Sequence, residues 1–140
     1  MPRLSVWMIR SSFLHLALGI LLGSAILWQK GPGGLPAAWG WLPFHIHLVL
    51  VGWMIQLALG VAYWILPRFT YRNEHERVAQ RRGREGLAWA SFLLLNVSTL
   101  LALTSRLGWL WSPRVSGLLV ALAGAAFAIH LWPRVKPFMA

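Results

Sequence analysis

Histidine is the residue type in this chain best suited to metal or proton chemistry, and it occurs at positions 15, 45, 47, 75 and 130. Two of the five stand almost together, in Pro43-Phe44-His45-Ile46-His47-Leu48. That segment opens an apolar run that continues to Leu66 and stops at Pro67-Arg68. An ionisable ring inside hydrocarbon is costly and is normally kept for a purpose, so this stretch is the default functional site. Imidazole suits iron or copper. The chain has no cysteine, which excludes disulfides, thiolate catalysis, iron–sulfur clusters and covalent haem attachment.

Helical geometry separates the pair. At about 100° per residue, positions 45 and 47 lie about 200° apart, so they leave the helix on opposite faces and do not chelate one metal together. In a regular α-helix His47 shares its face with Leu50, Val51, Met54, Ala58 and Val61, an apolar wall against which a flat macrocycle could lean. His45 shares its face with Gly52, Gln56 and Gly60, a stripe of small and polar residues that favours close helix packing. Two readings of His47 stand side by side, an interfacial polar residue and a ligand. Met54 is a soft candidate ligand, although methionine in such a span is ordinarily packing. A copper site built from His45 and Met54 is an alternative that the opposite faces disfavour.

The elements that must position these rings are membrane helices. The 140 residues are 58% hydrophobic and only 11% charged, against roughly 25% charged in soluble domains. Four stretches are long and apolar enough to span, at about 6–28, 42–66, 86–105 and 114–133, given the ~20 residues a bilayer core requires. The expected fold is all-α, one integral-membrane four-helix bundle over residues 1–140. The polar stretch from Tyr71 to Glu85 is expected to be a short amphipathic or irregular connection. Pro67 and Pro133 each stop a helix, both followed by arginine.

The net charge of +10 does not make nucleic acid an expected partner, because the cations cluster by topology. Arg3 and Arg10, six arginines between helices 2 and 3, and Arg134 with Lys136 account for 10 of the 13 basic residues. The positive-inside rule then puts both termini and the middle connection in the cytoplasm. Tryptophans mark two interfacial belts, Trp28, Trp39, Trp41, Trp109 and Trp111 on the outer side and Trp7, Trp64, Trp89 and Trp132 on the inner. The expected location is the bacterial plasma membrane, with the lipid bilayer as the first partner.

With helix 2 placed this way, His47-Leu48-x-x-x-Gly52-Trp53 followed by Gly60-Val61-Ala62-Tyr63-Trp64-x-x-Pro67-Arg68 resembles a known pattern. It is similar to the second helix of haem-copper oxidase subunit I proteins, in particular the nitric oxide reductase and cbb3-type branches. It is also similar to NnrS-type haem membrane proteins and to small four-helix proteins described as oxidase subunit I-like. The resemblance covers 42–68, with fainter echoes at Leu94-Leu95-Asn96 and Trp132-Pro133-Arg134. It implies a b-type haem with His47 as axial ligand, serving electron transfer or the handling of a diatomic gas. The later helices and the copper-ligating histidines of a full oxidase are absent from the sequence, so a complete enzyme is not expected.

The expected cofactor-binding set is therefore His47 with Val51, Trp53 and Met54, and the expected metal-ligand candidates are His47, His45, His15 and His130. Centring each helix in the bilayer puts His15 about 14 Å from His47 along the membrane normal, too far for the two to share one iron. A homodimer would bring two copies of His47 to the same depth, with Gly52, Ala58, Gly60 and Ala62 letting helices approach. Its redox partner would be a component of a respiratory chain. The rival expectation is a non-catalytic structural or assembly subunit, with its histidines as polar anchors.

Overall fold

A computed structural model describes residues 1–30, 36–66, 69–72, 78–81, 85–104 and 112–135. Four helices are long and apolar enough to cross a membrane. The first, α1 (Arg3–Trp28), begins directly after Pro2, whose extended backbone starts the helix without a side-chain cap. The second span, Trp39–Ile65, is composite. A 3-10 turn (Pro36–Trp41) leads into α2 (Leu42–His47), then a π-helical segment (Leu48–Ile55), then α3 (Gln56–Ile65). The last two spans are α4 (Glu85–Thr104) and α5 (Ser112–Leu131), and α5 closes in a 3-10 turn over Trp132–Arg134.

The span ends have local causes. Pro43 occupies the first turn of α2, where a missing N–H costs nothing. Leu66 turns extended, with ψ 143°, because the ring of a following proline disfavours the helical conformation. Beyond it the connection is not wholly irregular. Phe69–Arg72 (β1) pairs antiparallel with Val78–Arg81 (β2), Phe69 facing Arg81 and Arg72 facing Val78. Thr70, Tyr71 and Val78 are residue types that fit a pleated ribbon, so a short β-ribbon joins the helices in an otherwise all-helical fold.

The helices form two hairpins, α1 with the second span and α4 with α5. Glycine sets the spacing in the first. A Cβ on Gly52 would stand 2.7 Å from Cγ of His15, and one on Gly60 would stand 2.9 Å from Cβ of Met8. Each glycine is thus a socket for an α1 side chain, as the small-residue stripe predicts. Ser5 adds a 2.6 Å hydrogen bond to the Gly60 carbonyl, and Gln56 donates to Ser11 across the same seam.

Between the hairpins, the end nearer both termini is closed by Leu4, Met8, Tyr63, Ala88 and Phe127. The middle is closed by Val51, Leu95 and Ala123. Polarity runs opposite to that of a soluble bundle. Ser5, Ser12, Gln56, Ser91, Ser98 and Ser116 are buried, while Leu14, Leu21, Leu100 and Ile129 face outward. Such an arrangement suits a hydrocarbon solvent, where buried hydroxyls and amides join helices.

Candidate functional site

Four of the five histidines fall in described helices, and each has a different setting; His75 lies outside the described residues. His15 is 8% exposed, and its Nδ1 donates to the Gly52 carbonyl at 3.1 Å. His45 donates from Nδ1 to the Gly19 carbonyl at 2.9 Å and presses its ring on Gly23, where a Cβ would stand 2.6 Å away. Both rings therefore serve the α1 seam. His47 leaves the other face and meets α4, with Nε2 3.4 Å from Oγ of Ser98. His130, on α5, stacks on Tyr63 with ring centres 5.5 Å apart and borders Phe127.

The antiparallel register of α1 against the second span corrects the expected depths. Gly52 faces His15, five residues from His47, so the two histidines differ by about 8 Å in height at 1.5 Å per residue, not about 14 Å. The sockets, rather than the helix midpoints, decide how the two helices are offset. His15 and His130 do not meet either. His15 packs at Gly52 and His130 at Tyr63, about 16 Å apart by the same rise.

The π-helical segment rearranges the faces inferred for a regular helix. With i→i+5 bonding and about 4.4 residues per turn, residues four apart stay roughly aligned while those seven apart diverge. Val51 remains on the bundle side with Leu95 and Ala123. Met54 turns outward, 51% exposed, and Leu50 lies outside with it. The expected wall of His47, Leu50, Val51 and Met54 is thus divided, and neither His47 nor His45 has Met54 beside it. Trp53 is half-buried, and its Nε1 has no hydrogen-bond partner among the described residues. Insertion of a donor, here His15, into a helix carbonyl is one of the identifiable causes of such irregularity.

His47 borders a cavity of about 170 Å³ between the hairpins, walled by Phe44, Pro43, Ala102, Pro113, Ser116 and Gly117. The cavity lies at the end away from the termini and is partly open. Ser98 donates its own proton to the Leu95 carbonyl at 2.7 Å, so its contact with His47 requires the proton on Nε2. At 3.4 Å that contact is weak. Ser116 ties α5 to α4 through the Ser98 carbonyl at 2.9 Å. Among the described residues no three histidine, cysteine or carboxylate side chains gather into a metal-binding group.

At the opposite end, Arg134 has a role that its place in the charge asymmetry did not reveal. It is 1% exposed. One guanidinium nitrogen donates to the Leu66 carbonyl at 2.6 Å and to the Tyr63 carbonyl at 3.4 Å, capping the end of α3. Another nitrogen lies 3.4 Å from Nε2 of His130. The signal was present in the twin Pro-Arg helix ends, where the arginine of one helix can reach the open carbonyls of another.

No family model, no curated protein and no solved structure matches this chain.

Proposed function

We propose that this chain is a multi-pass protein of the bacterial plasma membrane that binds haem b through His47. The observation that carries the reading is the setting of that imidazole. His15 and His130 each serve as packing in a helix seam and His45 commits its Nδ1 to the Gly19 carbonyl at 2.9 Å, whereas His47 borders a cavity between the hairpins and, among the described residues, has a 3.4 Å contact to Ser98 to give up. Ligation through Nε2 moves the ring proton to Nδ1 and releases Ser98. Phe44, Ala102 and Gly117 offer the apolar surface that a porphyrin edge requires.

The volume supports only part of the group. A cavity of about 170 Å³ is smaller than the ~300–1,000 Å³ that encloses a drug-sized ligand, so one chain makes a half-site. A second copy that covers the open mouth would supply the rest, including its own His47. Gly52 and Gly60 are already filled by α1, so this contact would form beside the mouth rather than along the glycine stripe. Bound haem supplies one-electron chemistry with a respiratory partner, or binds a diatomic gas. The chain's own residues supply the ligand, the apolar wall and exclusion of water.

Absorbance of protein purified from haem-replete cells tests the proposal. A Soret band with sharp reduced α and β bands, one haem per two chains and loss of the spectrum in His47→Ala are the expected outcomes. A colourless preparation that gains nothing from added hemin removes haem and leaves a structural or assembly subunit. One haem per chain removes the sharing. The 10-to-3 division of basic residues supports cytoplasmic termini. A C-terminal reporter active only in the cytoplasm should light up, and a periplasmic signal would reverse the orientation.

A further inference from the structure

A second cavity at the same end of the bundle lies on the other side of the second span, independent of the haem reading. It occupies about 390 Å³ between the last turns of α1 and the start of the second span, and is open to the surroundings. Ser24, Lys30, Trp39 and His45 line it together with the apolar Ile20 and Leu27. We infer that this groove binds the headgroup of an anionic, hydroxyl-bearing phospholipid of the phosphatidylglycerol class.

Three features specify that chemistry. The first is charge: Lys30 holds its ammonium 4.4 Å from the centre of the Trp39 ring, and among the described residues no carboxylate lines the groove. A cation held on an aromatic face at the end of a span is a seat for a phosphate. The second is the tautomer of His45. Its Nδ1 carries the proton it donates to the Gly19 carbonyl, so in the neutral ring Nε2 is an acceptor. In that tautomer Nε2 accepts from a hydroxyl. A glycerol headgroup supplies such a hydroxyl beside the phosphate. The third is depth and lining. Ile20 and Leu27 lie on the exposed side of α1, ahead of Lys30 toward the middle of the span, where acyl chains would run.

Gly23 makes the groove's floor, since a Cβ there would collide with the His45 ring. The ring is thus held in place against α1. A headgroup bridging the two also ties α1 to the second span at the end where Gly31-Pro32-Gly33-Gly34 connects them.

The test uses the full chain in nanodiscs of equal phosphatidylglycerol and phosphatidylcholine, with retained lipid read by native mass spectrometry. Wild type should keep phosphatidylglycerol in preference to phosphatidylcholine, and Lys30→Gln should lower that preference about fivefold, as one charge near a membrane surface implies. Phosphatidate, anionic but without the glycerol hydroxyls, should be kept less well than phosphatidylglycerol. Ser24→Ala, a change at an exposed position, should fold normally and weaken retention less than Lys30→Gln. Equal retention by wild type and Lys30→Gln overturns the site. Equal retention of phosphatidate and phosphatidylglycerol overturns the role of His45. Full displacement by millimolar glycerol 1-phosphate would mean that the groove takes a soluble phosphate ester, and the lipid assignment falls.

Discussion

The seam between the two hairpins has an imidazole near each end, and the two ends are built to different degrees of completion. At the end near the termini, His130 lies against Tyr63 and Phe127, and Arg134 spans from α5 to the open carbonyls of α3. Leu4, Met8 and Ala88 fill the remaining space. At the other end, His47 meets α4 through one 3.4 Å contact and faces a cavity of about 170 Å³. Interiors are normally packed to crystal density, and the first end obeys that rule. The second departs from it beside His47. The same residue type is therefore buried among aromatic neighbours at one end and borders a cavity at the other.

Three substitutions can break or sharpen that contrast. The largest effect is expected for Arg134→Ala, which removes the guanidinium donor from the Leu66 and Tyr63 carbonyls at the end of α3. Leaving a buried group unsatisfied costs ~1–3 kcal/mol, so a loss of about 3 kcal/mol is expected in reversible unfolding from mixed micelles, with haem uptake retained. A loss below about 1 kcal/mol, the scale of an ordinary net hydrogen bond, would mean that the guanidinium is not a cap. Matched overpacking comes next. Ala88→Leu, at a fully buried position in the closed end, should destabilise by about 2 kcal/mol, since added methylenes strain a filled core. Ala102→Leu lines the open cavity and should change stability by less than about 1 kcal/mol while reducing haem uptake. Equal penalties for the two leucines would show that the ends are packed alike.

The spans were legible from the sequence because a run of about 20 apolar residues has few other uses. A close-packing face on the second span was legible too, although α1, rather than a second copy, is what fills Gly52 and Gly60. Gly52, Gln56 and Gly60 recur on one face, and the structure fills that face with His15, Ser11, Met8 and Ser5. The divergence of His45 and His47 followed from their spacing and appears as contacts to α1 and α4. Non-local causes account for what was not legible. The burial of Arg134 depends on carbonyls 68 and 71 residues away in sequence. The relative depth of His15 and His47 depends on which side chain sits in which glycine socket. The outward turn of Met54 depends on a π-helical segment, and nothing in Leu48–Ile55 taken alone distinguishes it from an ordinary apolar helix.

That π segment also acts as a phase adapter within one rod. Its wider turn lets Gly52, Gln56 and Gly60 mesh with α1 below while His47 keeps its aim at α4 above, so the two halves of the second span answer to different neighbours. In a strictly α-helical rod, advancing one end by a residue rotates every side chain at the other by about 100°. Here the slack is stored in the backbone between the two tasks. A residue added or removed between Leu48 and Val51, ahead of the Gly52 socket, would re-aim the ring at position 47 while leaving Gly52 and Gly60 on α1 and changing no residue type that lines the cavity.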